Sequence, residues 1–181
     1  KLFILSDIHG NMTALRAVLK DVQQFGPDAV AVLGDVIDYG MRSNEAVAQL
    51  EELPLPKVCY LWGNHEYAIL KNHFSGFSSA RGERCARFTA AGLTEETRQI
   101  LMRADGRCGW AAFSFGGFRF LAVHGSLQDP FWKAITPQGP FEGYEAYDYV
   151  LSGHSHVAQA FPVFYDTGHS EMRGKKRTIF I

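Results

Sequence analysis

The sequence predicts an α/β fold with a largely parallel central sheet in its first half and a mixed or second, packed sheet in its second half. Two observations carry this. From "LFIL" to "KVCYLW", short and nearly continuous apolar runs alternate with amphipathic stretches of helical period, a βαβαβ pattern of strands buried on both faces. Beyond residue 109 the apolar runs follow one another with no room for helices between them, starting with "WAAFSF" and "FRFLAV" on either side of Gly116-Gly117, a hairpin signal.

Each element has a local reason. After "LFIL", Asn11 is a suitable N-cap for a helix in which Met12, Leu15, Val18, Leu19 and Val22 recur at helical spacing, and Gly26-Pro27 stops it. The strand "AVAVL" follows. Ser43 is expected to cap the second helix, with Ala46, Val47 and Leu50 facing inward, before the strand "KVCYLW". Residues 66 to about 109 read as helical and carry both aromatics and arginines. A second insert over 126–147 is rich in Pro, Gly and aromatics without periodicity, which suits a long loop. Both inserts are readable as packing elements or as substrate walls. "YDYVL", "AFPVF" and "RTIFI" complete the strands.

Composition narrows the function classes. A chain of 181 residues is most simply one domain and can bury roughly 70% of the surface it exposes unfolded. Its net charge of -1, without a block of like charges, provides no electrostatic footprint for long nucleic acids or an anionic membrane surface. The short "RGKKR" reads as a solvated turn before the last strand. Cys59, Cys85 and Cys108 lack C-x-x-C spacing, and Cys59 sits in an apolar run that suits a reduced, buried thiol, so a cytoplasmic compartment is expected. No apolar run reaches the length of a membrane span, and the first residues shown lack a signal-peptide pattern. Oligomeric state is not readable.

The polar residues gather at one kind of place. Ser6-Asp7-Ile8-His9-Gly10 follows the first strand, Gly34-Asp35-Val36-Ile37-Asp38 the second and Gly63-Asn64-His65-Glu66 the third. His124-Gly125 follows "FRFLAV", and Ser152-Gly153-His154-Ser155-His156 follows "YDYVL". Taken singly, Asp7, Asp35 and Asn64 read equally well as turn or cap residues, and His9 or His124 as residues closing a turn. Taken together, five strand ends bearing carboxylate, amide and imidazole point to convergence, because ligands of open α/β sheets bind at the carboxyl ends of the strands. If the chain stays extended through "GHSH", His154 and His156 at i and i+2 face one cavity.

The donor set is oxygen and nitrogen without cysteine, which suits Mn²⁺, Fe, Zn²⁺, Ni²⁺ or Co²⁺, and the histidines argue against a purely Mg²⁺ or Ca²⁺ site. Seven or eight donors exceed the needs of one ion. Two metals roughly 3.5–4 Å apart with a shared carboxylate would use the set, as in two-metal phosphoryl-transfer hydrolases.

D-x-H, G-D-x-x-D, G-N-H-E, V-H-G and G-H-x-H, in this order over residues 6–156, resemble the calcineurin-like metallophosphoesterases. "SDIHGN", "GNHE" and "SGHSH" are similar to the small single-domain bacterial and archaeal branch. The resemblance implies a four-layer α/β-β/α sandwich with mixed central sheets, and two divalent metal ions, manganese foremost. It implies that Asp7, His9 and His156 hold the first metal, Asn64, His124 and His154 the second, and that Asp35 bridges them. His65 would bind no metal but would stand over the site, steadying a phosphoryl oxygen or protonating the leaving alkoxide. Asp38 would support the site from behind, and Gly10, Gly34, Gly63, Gly125 and Gly153 would permit tight turns beneath the metals. The implied reaction is hydrolysis of a phosphomonoester or phosphodiester by a hydroxide bridging the metals, its pKa lowered to roughly 7. The implied substrate is a phosphorylated small molecule, nucleotides included.

Two departures from the family stand out. Tyr39 follows the G-D-x-x-D aspartate where many relatives have Arg, which leaves Arg42 as the nearest cation for a phosphate contact. Relatives also continue past the last strand, so a C-terminal portion of the 1–181 domain is expected to be missing. A second reading is a non-catalytic metal-binding scaffold for protein partners, since one retromer subunit resembles this fold. A nucleotide-binding Rossmann module is disfavoured, because Asp7 and His9 stand where G-x-G-x-x-G would lie. His73 and His169 fall outside the motifs and read as structural or surface residues.

Overall fold

The computed structural model of the chain describes residues 1–168 and 174–181. Its first half is the expected alternation: β1 (Leu2–Leu5), α1 (Met12–Phe25), β2 (Ala29–Val32), α2 (Ser43–Glu51) and β3 (Lys57–Tyr60). The three strands form a parallel sheet in the order β1-β2-β3. Next come α3 (Asn64–Leu70), a 3-10 turn (Phe74–Gly76), α4 (Ala80–Gly92) and α5 (Glu95–Met102).

β4 (Trp110–Phe115) and β5 (Phe118–Val123) form the predicted hairpin, followed by β6 (Tyr149–Ser152), β7 (Phe161–Asp166) and β8 (Lys175–Phe180). This second sheet has the order β4-β5-β6-β8-β7 and is mixed, with β5, β6 and β8 mutually parallel and antiparallel pairs at its two edges. The basic run therefore opens β8 instead of preceding it: Lys175, Lys176 and Arg177 pair with Asp166, Tyr165 and Phe164. Arg173 of that run and His169 lie outside the described residues.

Alternation of side chains along each strand builds the layers. In β2, Val30 and Val32 face the helices, while Ala31 and the following Leu33 face the second sheet. Phe120, Ala122 and Leu151 meet them from the other side, so the two sheets pack face to face. The opposite face of the second sheet, with Leu121, Val123, Val150 and Phe180, is covered by Ile135 and Tyr144 of the 126–147 segment, which contains no helix or strand. Each fully buried aliphatic or aromatic side chain contributes about 1.5–3 kcal/mol to this packing.

α1 has Asn11 as its cap, accepting from Ala14 N at 3.1 Å, and ends at left-handed Gly26. Met12, Leu15, Leu19 and Val22 are buried, whereas Val18 is 39% exposed at the margin of the apolar stripe. Ser43 is not the cap of α2. It is the first helical residue, and its hydroxyl accepts instead from Asp38 N at 3.0 Å, tying the helix to the preceding loop. No helix among the described residues is long and apolar enough to cross a membrane.

Candidate metal centre

Five loops leaving β1, β2, β3, β5 and β6 converge at the carboxyl ends of the parallel strands, three from the first sheet and two from the second. Backbone hydrogen bonds continue the strand pairing into them. Asp7 N donates to Gly34 O at 3.1 Å, His9 N to Asp35 O at 2.9 Å, Gly10 N to Val36 O at 2.8 Å, and Gly153 N to His124 O at 3.0 Å.

This lacing holds an unusual backbone. Among the described residues eight non-glycine residues have positive φ, and seven of them are Asp7, His9, Asp35, Asp38, Tyr39, His154 and His156. Each costs of order 1–3 kcal/mol and persists only where the surroundings over-determine it, a pattern that gathers at ligand sites. Two features permit the close approach of the loops. Gly34 is left-handed (φ +96), and a Cβ on Gly63 would lie 2.1 Å from Asp35 Oδ1.

The structure brings the seven sequence-predicted ligands together. His156 Nε2 lies 3.2 Å from both Asp7 Oδ1 and His9 Nε2. On the other side, Asn64 Oδ1 lies 3.0 Å from His124 Nε2 and 3.0 Å from His154 Nδ1. Buried Asp35 sits between the two groups, its Oδ2 3.7 Å from His9 Nε2 and 3.3 Å from His124 Nε2. Asp7, His9 and His156 form one triad able to hold a metal ion, and Asp35, His124 and His154 another.

The two histidines of "GHSH" reach this arrangement differently from the extended-chain expectation. No strand continues through them; both are left-handed, with φ of 64 and 54, and their rings enter different triads.

Ring orientation is set from behind. His9 Nδ1 is 3.2 Å from Ile37 O and His124 Nδ1 is 2.8 Å from Leu33 O. A carbonyl only accepts, so each Nδ1 carries a proton and Nε2 is the ring atom that faces the site, the orientation found behind metal-ligating histidines.

His65 is held by a third acceptor, with Nδ1 2.7 Å from Asp38 Oδ2 and Nε2 3.9 Å from Asp35 Oδ2. Asp38 is fully buried and also accepts the Thr89 hydroxyl at 2.6 Å. Arg42 lies on the rim of a groove beside His9 and His156 and pairs with Glu45 at 3.1 Å.

Charge follows from this packing. Burial opposes ionisation of Asp35, but His124, His65 and His9 outweigh it and hold the carboxyl well below the usual range. Burial likewise opposes a charged His124, and Asp35 overcomes it, raising the ring to about 9. A cation binding there would release that proton. His65 titrates above the ordinary histidine range: burial lowers it, but the Asp38 hydrogen bond and the Asp35 and Asp38 charges prevail. For His9 and His154 burial is the leading cause and both rings are shifted down.

The calcineurin-like phosphoesterase family model matches residues 1–158, covering all five loops. The chain belongs to the calcineurin-like phosphoesterase family. It is 27% identical over 155 residues to an uncharacterized protein of Methanocaldococcus jannaschii, a match covering 85% of this chain and 61% of that protein. The chain thus spans less than two thirds of that curated relative. The crystal structure of a metallophosphoesterase from Sphaerobacter thermophilus aligns over 99% of this chain and 74% of that one, with a TM-score of 0.64 and 24% identity. A hypothetical protein of Pyrococcus horikoshii OT3 aligns over 99% and 76%, with a TM-score of 0.66 and 19% identity. At these identities the likeness establishes the two-sheet α/β fold of the calcineurin-like phosphoesterases.

Sequence reasoning missed one organising residue of this site. Glu66 is fully buried, and its carboxylate accepts from four backbone amides: Asp35 N and Gly63 N on Oε2, both at 2.8 Å, and Val36 N and Ile37 N on Oε1 at 2.8 and 3.1 Å. It therefore joins the β2 and β3 loops directly beneath Asp35. Its place three residues after Gly63, at a helix start, was a signal for the local bond. The three bonds to the β2 loop, 29 to 31 residues away, had none.

Proposed function

We propose that the chain hydrolyses phosphoester bonds of a phosphorylated small molecule with two divalent transition-metal ions, and that nucleotides are among its substrates. One observation carries the reading: a histidine locked by a buried carboxylate, His65 on Asp38, stands beside two ligand groups joined by Asp35.

On this reading Asp7, His9 and His156 hold one ion, Asn64, His124 and His154 the other, and Asp35 is shared. The donor chemistry fits. Nitrogen and oxygen ligands without thiolate suit Mn²⁺, with Fe, Zn²⁺, Ni²⁺ and Co²⁺ as alternatives, and the carbonyl-anchored rings of His9 and His124 turn Nε2 inward. Such ions would supply an activated water and neutralise charge on the phosphoryl oxygens.

The chain's own residues do the rest. His65 Nε2 is within reach of Asp35 and His9 and could itself ligate, but seven other donors suffice for two ions. With Nδ1 committed to Asp38 and its ring held above the ordinary range, His65 is suited to present a proton at Nε2. An alkoxide leaving oxygen needs that proton. Asp38 and Thr89 fix the ring's angle, and Arg42 on the rim is a candidate contact for a substrate phosphate.

The test is hydrolysis of bis(p-nitrophenyl) phosphate beside p-nitrophenyl phosphate after chelation and again after Mn²⁺ addition. Activity lost on chelation and restored by Mn²⁺ supports the reading, and the ratio of the two rates gives the diester or monoester preference. Silence toward both with metal bound would contradict it and favour the scaffold reading.

A further inference from the structure

We infer that the pocket beside His65 receives one planar aromatic ring of the leaving group, a nucleobase joined to the phosphate through its ribose. This rests on the hydrolase reading above and names its substrate class. The cavity measures about 290 Å³ and opens from Asp35, Asn64 and His65 onto a wall made by Tyr39, Phe77 and Trp132. Ligand pockets for drug-sized molecules begin near 300 Å³, so this one suits a single nucleoside.

The wall starts at the proton donor. The Phe77 ring centroid is 5.0 Å from that of His65, and Trp132 is 5.5 Å beyond Phe77 at 85°. A leaving group that takes its proton from His65 therefore departs along this corner, where a flat ring meets one aromatic face-on and the other edge-on. Beyond the metal-ligand set and His65, the lining offers no charged side chain, only Tyr39, Gly76, Phe77, Ser78 and Trp132. A neutral ring fits it; a second phosphate finds no counter-charge. The Trp132 indole N–H meets no acceptor among the described residues and is free to bond a base edge.

Trp132 is also held in advance of any ligand. Asp129 Oδ1 accepts from Phe131 N at 3.1 Å and Trp132 N at 3.0 Å, and Gly125 N, next to His124, donates to Pro130 O at 2.7 Å. Phe131 stacks on Tyr67 at 4.5 Å. Across the pocket the indole occupies the space a side chain on Gly76 would need, since a Cβ there would fall 2.3 Å from Cζ2. Phe77 and Trp132 come from the inserts at 66–109 and 126–147, and Tyr39 from the loop after β2.

The test compares adenosine 5′-monophosphate with ribose 5-phosphate, and the methyl diester of each. Both depart through the same primary 5′ oxygen of a ribose and differ at C1′, where one carries the base and the other a hydroxyl. The wild-type Mn²⁺ protein is expected to favour the base-bearing ester in kcat/KM by about tenfold or more. That ratio should fall toward one in Trp132→Leu and in Phe77→Leu, whatever each variant's absolute rate, with circular dichroism confirming the fold.

A wild-type ratio near one, or a ratio unchanged in both variants, would overturn the inference. If no ester turns over, the hydrolase reading fails separately, and the monoesters are compared as ligands by calorimetry. Tighter binding of adenosine 5′-monophosphate that Trp132→Leu removes would then support the aromatic pocket. Equal affinities, or tighter binding of phosphocholine, would overturn it.

Discussion

Asp38 Oδ2 lies 2.7 Å from His65 Nδ1, and because this carboxylate is fully buried the contact decides which ring nitrogen faces the substrate side. Asp38 is itself over-determined: its N–H donates to Ser43 Oγ at 3.0 Å, its Oδ1 accepts from Thr89 at 2.6 Å, and its φ is 74. A chain of bonds thus runs from helices α2 and α4 to the His65 ring.

Replacing Asp38 with Asn should lower kcat about 10- to 100-fold, the usual cost of loosening a residue that orients catalytic groups. The sign of the pH effect follows from the carboxylate's role. Asp38 raises the His65 pKa, so its loss lowers the pH at which the ring gives up its proton, and the alkaline limb of the rate profile moves to lower pH. A pH–rate profile of Asp38→Asn with manganese content measured alongside checks this. An unmoved alkaline limb would contradict it.

Glu66→Gln should destabilise the fold by about 3 kcal/mol, because an amide NH₂ would face backbone donors that now meet a carboxylate oxygen. Urea denaturation of the metal-free protein gives the value. A midpoint equal to wild type would show that the β2 and β3 loops hold together without this residue.

Gly63→Ala tests the closeness of those loops. A methyl group there would sit 2.1 Å from Asp35 Oδ1 and 2.6 Å from Asp35 N, so the carboxylate lying between the two ligand groups must move. The expected result is manganese affinity weakened by tenfold or more, read by isothermal titration, in a protein that still folds. Wild-type affinity would mean that Asp35 is not where cations bind.

The thiols should react in order of exposure. Cys108 is exposed, Cys85 intermediate and Cys59 buried. Burial, with Asp105 nearby, pushes the Cys59 thiol up to about 12, so it stays protonated at neutral pH. Native protein treated with an aromatic disulfide reagent at pH 8 should release Cys108 rapidly and Cys59 only on unfolding. Rapid labelling of all three would contradict the packing between the sheets.

Much of this was legible in the sequence for a physical reason. Strands buried on both faces admit few polar residues, so Asp7, Asp35, Asn64, His124 and His154 stood out at strand ends, where the topology collects them. The illegible parts depend on tertiary contacts. The left-handed turns at His154 and His156 are imposed by the loop lacing and have no local sequence cue, since neither residue is glycine. Ser43 reads as a cap by type, yet its hydroxyl is taken by Asp38 N from the preceding loop. Gly76 and Trp132 are 56 residues apart, and only the packed inserts show that one makes room for the other.

The most direct test of the account is manganese stoichiometry of the purified chain, wild type beside Asp35→Ala and His65→Ala, with diester hydrolysis measured on the same samples. The arrangement predicts two ions per wild-type chain, loss of both ions and of turnover in Asp35→Ala, and retention of both ions without turnover in His65→Ala. A single ion in the wild type, two ions retained without Asp35, or undiminished turnover without His65 would contradict it.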